Sequence, residues 1–348
     1  MSTHRPFLPR LASACAGLLR QAATISWELA KIMVPLLAVT FTLQQLDLIK
    51  YPGYALRPVM RLVGLPGEAA LVWAAAMITN LYGGIAVFLE LHRTGVLVPT
   101  AAQATVLCTL MAVAHALPVE GRVCQKTGMR FRAAVLTRVG GALLLGAILH
   151  LIYSTGGWLD GPGRVLLDAP PADAALAGWA VWGAWLKNLA VNLGMIYLIV
   201  LGLLALLKIL EAIGVMRILL LVLGPVLRRL GISPEMAPLS IVGMTMGVTY
   251  GGGLIIQEVR GGRFQRRDVV HAMTLMGLCH ALIEDTLLMK ALGAALSGVL
   301  WGRLIFSLAA ACVMVRLTRL LSDTTFDRLF YRPIPATADV EDAAKAAD

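Results

Sequence analysis

The residues of this chain best equipped for chemistry lie close together near position 280. They read His280-Ala281-Leu282-Ile283-Glu284-Asp285-Thr286, inside an apolar run. His280 and Glu284 are four residues apart, which on a continuous helix puts them on one face, with Asp285 turned about 100° away. An acidic residue at mid-membrane costs roughly 2.5–3.5 kcal/mol on insertion scales, so two adjacent acids must face protein or water. A proton, a bound cation, His280 or Thr286 can compensate them. Imidazole nitrogen together with carboxylate oxygen also suits a divalent transition metal, with His280, Glu284, Asp285 and Glu258 as the donors. The pattern is not HExxH, however, and no second histidine lies on the same turn, so it does not read as a metalloprotease. The alternative is a hydrogen-bonded knot that holds helices in register.

A second motif precedes this one. Tyr250-Gly251-Gly252-Gly253 is followed by Gln257-Glu258. Each glycine inside a helix costs about 1 kcal/mol relative to alanine, so three in a row favour a break. A broken helix presents unpaired N–H and C=O groups to an ion or solute. Glycines can also serve merely to let two helices pack closely.

Both motifs have fainter copies upstream. Tyr82-Gly83-Gly84 stands 168 positions before Tyr250-Gly251-Gly252 (82 to 250), and Asn80 lies just ahead of it. His115-Ala116-Leu117 precedes His280-Ala281-Leu282 by 165 positions (115 to 280), and Arg138 precedes Arg303 by the same interval. Pro58 and Pro225 lie in similar LRPVMRLVG and LGPVLRRLG stretches. Glu120 aligns with Asp285, Glu90 falls near the position of Glu258, Val119 replaces Glu284, and Pro118 interrupts the first copy. The chain is a duplicated unit, and duplicated apolar halves mark transporters built from structural repeats. The weaker first copy, with Asn80, Tyr82 and His115, supplies one wall of a site, and the second half supplies most of the charge.

The elements that must position these residues are membrane spans. The 348 residues are 58% hydrophobic and 14% charged, with a mean hydropathy of +0.78. Soluble domains carry roughly 25% charge. Several runs reach the ~20 apolar residues that cross a hydrocarbon core. None alternates with period two, which argues against a β-barrel. The net charge of +10 reads as basic loops on the cytoplasmic side rather than as a nucleic-acid footprint. The five cysteines, Cys15, Cys108, Cys124, Cys279 and Cys312, are scattered and suggest neither a disulfide frame nor a zinc site. His92, His150 and His271 are expected at interfaces or in solvent. No nucleotide-hydrolysing motif, enzyme signature or cofactor site is evident.

Basic clusters in the N-terminal segment, in 120–132, in 260–267 and in the C-terminal tail place all four in the cytoplasm; the acidic linker 154–178, with Asp160, Asp168 and Asp173, belongs outside. Four full crossings per half cannot satisfy this. One element per half must enter and leave by the same face, and 69–89 and 236–259, which carry the glycines, are the candidates. The expectation is an all-α polytopic bundle of two inverted repeats, each with a discontinuous or re-entrant glycine-broken helix. A plain eight-helix bundle is the competing arrangement. The segments are a cytoplasmic 1–23, repeats at 24–154 and 189–321, a Trp-rich external linker at 155–188, and a cytoplasmic tail at 322–348 whose acidic end, 339–348, is expected to be disordered.

At Tyr250–Glu258 and His280–Thr286 the chain resembles bacterial membrane proteins carrying the Gate, or "nucleoside recognition", domain. That domain is shared with concentrative nucleoside transporters, the membrane part of the ferrous-iron transporter and spore maturation membrane proteins. The resemblance implies a Gate-type bundle in the inner membrane, with both termini cytoplasmic. It also implies passage of a small solute or ion, with Tyr250, Gly251, Gly252, Gly253, Gln257, Glu258, His280, Glu284, Asp285 and Thr286 near the path. The partners are the lipid bilayer, the solute and a second copy of the chain, without nucleic acid. A non-transporting scaffold and a divalent-metal transporter are the other readings. The chain lacks a GTP-binding domain and is shorter than nucleoside transporters.

Overall fold

The computed structural model describes residues 7–46, 48, 50–166, 179–260 and 264–332. Arg5, Asp168, Asp173, Arg263 and the acidic end 339–348 lie outside them, as do the side chain of Tyr250 and the surroundings of Gly251 and Gly252.

The described residues are helical almost throughout. The first half runs α1 (Phe7–Gln45), α2 (Lys50–Leu62), α3 (Ala69–Ile78), α4 (Leu81–Arg93), α5 (Ala101–Val113), α6 (Leu117–Lys126) and α7 (Phe131–Gly156). The second half repeats the order as α8 (Trp179–Ala212), α9 (Val215–Arg229), α10 (Met236–Met246), α11 (Val248–Arg260), α12 (Arg266–Leu278), α13 (Leu282–Ala291) and α14 (Arg303–Arg319). A π-helical turn, Ser297–Gly302, leads directly into α14, and a short α15 (Asp323–Leu329) closes the described chain. Among the described residues six segments are long and apolar enough to cross a membrane, three in each half: Ala16–Gln45, Ala101–Lys126, Phe131–Gly156, Trp179–Ala212, Arg266–Ala291 and Ser297–Arg319. The protein is a multi-pass α-helical membrane protein.

Side-chain spacing decides which face of each span turns inward. In α7 the buried residues include Arg138, Ala142, Leu145, Leu149 and Tyr153, a stripe at three- and four-residue intervals. Leu136, Leu144 and Leu151 on the other face are exposed and suit contact with lipid. In α14 the buried stripe is Arg303, Ser307, Ala311, Val315 and Thr318. One apolar cluster centres on the first half but takes in Leu278, Leu288, Met289 and Val299 of the second, another centres on the second half but takes in Cys124, Met129 and Ala133 of the first, and a third joins α1, α4 and α8. Cys108, Cys124 and Cys279 are free and buried.

Each half holds two interruptions where the sequence predicts one. The first falls just ahead of the glycines. Between α3 and α4 it lies at Thr79-Asn80, and Asn80 Oδ1 accepts from the Gly83 N–H at 2.9 Å, so Asn80 is the N-cap of α4 and the glycines form its first turn. Between α10 and α11 it is Gly247, at φ +94°, four residues before Gly251. The second interruption splits runs expected to be continuous. Ala116 and Ala281 adopt left-handed backbone at φ +47° and +44° and end α5 and α12 early. This conformation costs an L-residue roughly 1–2 kcal/mol, so local composition does not announce it. The two breaks of each half lie side by side: Ala116 N–H donates to Ala76 O at 2.9 Å, and Ala281 Cβ lies next to Gly247.

The chain ends of the spans gather into two groups. In one, Arg130 at the start of α7 donates to the carbonyls of Asp327 (2.7 Å) and Tyr331 (3.1 Å), Arg132 donates to Arg328 O (2.6 Å), and Arg267 in α12 donates to Leu321 O (2.9 Å) and to Asp323 (2.8 Å). In the other, Ala101 and Ala102 at the start of α5 donate to Gly161 O and Leu159 O, and Leu166 N–H meets Ala291 O at the end of α13. The basic segments 128–132 and 264–267 thus share one end of the bundle with the 320–332 tail, and the described start of the linker sits at the other.

Candidate functional site

The two left-handed alanines create a chemical problem at the centre of the bundle. A helix that stops at Val113 or Leu278 leaves carbonyls without partners, and the one that restarts at Leu117 or Leu282 leaves free N–H groups. The next span answers both. Arg138 of α7 donates from Nε to Val113 O at 3.0 Å and pairs through Nη1 with Glu120, in the first turn of α6. Arg303 of α14 donates from Nε to Leu278 O at 3.0 Å, from Nη2 to His280 O at 2.7 Å and from Nη1 to Asp285 Oδ2 at 3.0 Å. A cation thus covers the negative end of one half-helix while an anion sits at the positive end of the next. Both arginines are buried: Arg303 is 0% exposed and Arg138 2%. With so little water in reach, the carboxylates and carbonyls must carry their hydration.

The residues just before the alanines meet across the halves. His115 Nε2 and His280 Nε2 stand 3.2 Å apart, with ring centroids 4.8 Å apart. Glu120 Oε1 lies 3.3 Å from His280 Nε2 and 3.6 Å from His115 Nε2. The far side of each ring is fixed by a backbone carbonyl: His115 Nδ1 lies 2.9 Å from Met111 O and His280 Nδ1 lies 3.0 Å from Met276 O. A carbonyl only accepts, so Nδ1 carries the hydrogen in both rings and a neutral ring presents a bare lone pair at Nε2. Asp285 completes the group, its nearest ligand atom within 4.8 Å of those of both histidines.

Glu284 takes a different direction. The break at 279–281 separates it from His280, so the two do not share a helical face. Tyr82 OH donates to Glu284 Oε1 at 3.0 Å, joining α4 of one half to α13 of the other. Both residues line an open cavity of about 470 Å³ bordered by α1, α8, α9 and α10, where Gln21, Lys208, Glu211 and Thr245 add polar groups to an apolar wall.

The other expected site residues scatter. Thr286 is buried, with no hydrogen-bond partner for its hydroxyl. Gly253 is exposed, with open space where a Cβ would stand. Gln257 is exposed and Glu258 half-buried, both in the last turn of α11, about 15 Å of helix beyond Gly247. Glu90 pairs with Arg93 at 2.8 Å. His271, expected at an interface, is buried and meets Thr318 Oγ1 at 2.7 Å. Each half supplies the site with one ion-paired acid, Glu120 with Arg138 in one and Asp285 with Arg303 in the other, and the second half adds Glu284. The arginines enter the sequence reading only as repeat markers, although an arginine inside an apolar span at the same interval in both halves was the available signal.

The comparisons fit this architecture. Residues 193–293, from α8 through the end of α13, match the family model described as Gate, "Nucleoside recognition". The chain is also similar to the uncharacterized membrane protein YvoD of Bacillus subtilis (strain 168), 28% identical over 275 residues, which covers 77% of this chain and 83% of that protein. No solved structure matches.

Proposed function

We propose that this protein is a transporter or permease of the Gate type, moving a small solute or ion by alternating access between two inverted halves. The observation that carries the reading is the cavity of about 470 Å³ that reaches Tyr82 and Glu284, where two halves with paired helix breaks meet. A non-transporting scaffold, the alternative, needs no such space beside an acid. The inverted arrangement draws support from the bundle ends. The start of α7 and the end of α14 share the basic end through Arg130, Arg132, Arg267 and the tail, so these equivalent helices run in opposite senses. Broken helices meeting at the interface between inverted repeats are a recurrent way to bind solute near mid-membrane. The groups proposed to bind the solute or ion are Glu284 and the Tyr250–Gly253 stretch beside the first break.

A purified-protein thermal-shift series with nucleosides, organic anions and cations tests this, because a ligand that binds only the folded state raises its apparent stability. A stabilising solute that then crosses proteoliposomes, and fails to cross with Glu284→Gln, supports transport. A solute that binds without crossing favours the scaffold.

A further inference from the structure

We infer that His115, His280 and Glu120 form a binding site for a divalent transition-metal cation where the two broken spans cross. Three acceptor atoms converge there. The Nε2 atoms are 3.2 Å apart, and Glu120 Oε1 is 3.3 and 3.6 Å from them. Because both Nδ1 hydrogens are committed to Met276 O and Met111 O, neutral rings aim two lone pairs at each other and at a carboxylate oxygen. A positive charge must fill that triangle.

Its dimensions select the charge. Tetrahedral coordination with metal–nitrogen and metal–oxygen distances of about 2.0–2.2 Å sets ligand atoms about 3.3–3.6 Å apart. The observed edges, 3.2, 3.3 and 3.6 Å, lie close to that spacing, and a point equidistant from the three atoms is about 2 Å from each. One shared proton joins only two of the three acceptors at a time. A metal engages all three and leaves a fourth position, toward which Asp285 stands within reach. Two imidazoles with a carboxylate suit Zn²⁺, Co²⁺ or Fe²⁺ better than a hard cation.

The surroundings match those of metal sites. Ligating histidines usually donate their other N–H to a backbone carbonyl, which fixes the ring, and both do so here. Glu120 is oriented through its other oxygen by Arg138, and Asp285 by Arg303. The two arginines offset two of the three nearby carboxylates, Glu120, Asp285 and Glu284. All three ligands are buried: His280 is 1% exposed, His115 6% and Glu120 7%. The proposal goes beyond transport and does not depend on it, since binding is readable in detergent without any flux.

The test is a Co²⁺ titration of the purified full-length protein, freed of any affinity tag, followed by its visible d–d absorption, with metal content measured after Zn²⁺ incubation. One Co²⁺ per chain, with intense bands that mark four-coordination and that Zn²⁺ removes, is expected. His115→Gln and His280→Gln should each weaken Co²⁺ binding by more than the 10–100-fold typical of an outer-shell partner; His271→Gln should not. Wild-type protein that keeps no Co²⁺ or Zn²⁺ overturns the site and leaves a proton in the triangle. Bands unchanged in folded His115→Gln and His280→Gln place the metal elsewhere and also overturn it. If those variants do not fold, X-ray absorption of the Zn²⁺-loaded wild type decides: imidazole scattering from two histidine ligands supports the site, and an oxygen-only shell removes it.

Discussion

Arg303 stands in the second half where Arg138 stands in the first, 165 positions earlier (138 to 303). Each reaches from one half-helix terminus to the next. Each sends Nε–H to the carbonyl two residues before a histidine, at 3.0 Å, and Nη1 to the acid five residues after it. The copies are unequal in one respect. Arg303 Nη2 donates to His280 O at 2.7 Å, whereas Arg138 Nη2 is buried without a partner.

That inequality gives an order of stabilities. Arg303→Met strands Asp285 and two carbonyls, and breaking a buried pair costs about 3–5 kcal/mol. Arg138→Met likewise strands Glu120 but frees one carbonyl rather than two, and it removes a group that is already incompletely satisfied, so it should cost somewhat less. Arg303→Lys keeps the charge but loses the planar fork and should fall between Arg303→Met and the wild type. Thermal unfolding in one detergent measures the series. An Arg303→Met protein as stable as the wild type would remove the capping role.

Tyr82 and Glu284 link the halves at the cavity wall. A hydrogen bond to a charged group contributes about 1.5–3 kcal/mol, so Tyr82→Phe should destabilise the protein by up to that amount. Glu284→Gln keeps an acceptor for the tyrosine and should leave stability nearly unchanged while reducing solute flux at least tenfold. Leu203→Trp, which fills the same cavity, should block flux without altering the charge. Equal flux from all three proteins would mean that solute does not pass through this space.

The architecture was readable where a pattern recurs. The matched intervals of His115 with His280 and of Arg138 with Arg303 revealed the duplication, and the apolar runs revealed the spans. The first break was placed within a few residues because Gly247 and the Asn80 cap adjoin the glycines. The second was hidden. Ala116 and Ala281 have no local preference for left-handed backbone, and the arginines that stabilise those ends lie 22 residues further along (116 to 138, 281 to 303). Pro118 hinted at the break in one half, but Ile283 stands in its place in the other. The same hidden break undid the inference that His280 and Glu284 share a face, because four-residue spacing is informative only along an unbroken helix. The meeting of His115 with His280 depends on how the halves are docked, which no single-chain pattern encodes.

If the halves are inverted, Gly161 and Arg132 lie on opposite sides of the membrane. Single cysteines at these positions, in a background with Cys15 and Cys312 replaced, should label differently with an impermeant thiol reagent in intact cells. Gly161→Cys should react directly, and Arg132→Cys only after permeabilisation. Labelling of both from the same side would exclude inversion, along with alternating access between the halves.

The tail should be insensitive to pH across the neutral range. A hydrogen bond from Arg267, aided by the charge of Arg266, holds the Asp323 carboxyl below its usual range. A folded-state value below the unfolded ~3.9 means that the contribution is complete above that value and is lost as pH falls through the folded one. Between pH 8 and 5, protease cleavage after Arg328 should therefore stay equally slow. Asp323→Asn should speed it at every pH in that window. A cleavage rate that climbs as pH falls from 8 to 5 would assign the docking to some other group.

The triple glycine can be tested by comparing its two halves. At Gly84 an added Cβ meets Ala76 Cβ at 2.7 Å and Met111 Cε at 2.8 Å, and overpacking typically costs about 1–3 kcal/mol. Gly84→Ala should therefore lower the melting temperature. Gly253 faces open space within a helix, where alanine is favoured over glycine by about 1 kcal/mol, so Gly253→Ala should raise it or leave it unchanged. Its counterpart 168 positions earlier (85 to 253) is Ile85, which shows that the fold accepts a large side chain at the equivalent point. A glycine that stability does not require points to a surface that something else approaches. Gly253→Ala should then weaken solute-induced stabilisation or flux while the fold is kept, and unaltered transport would remove Gly253 from the path.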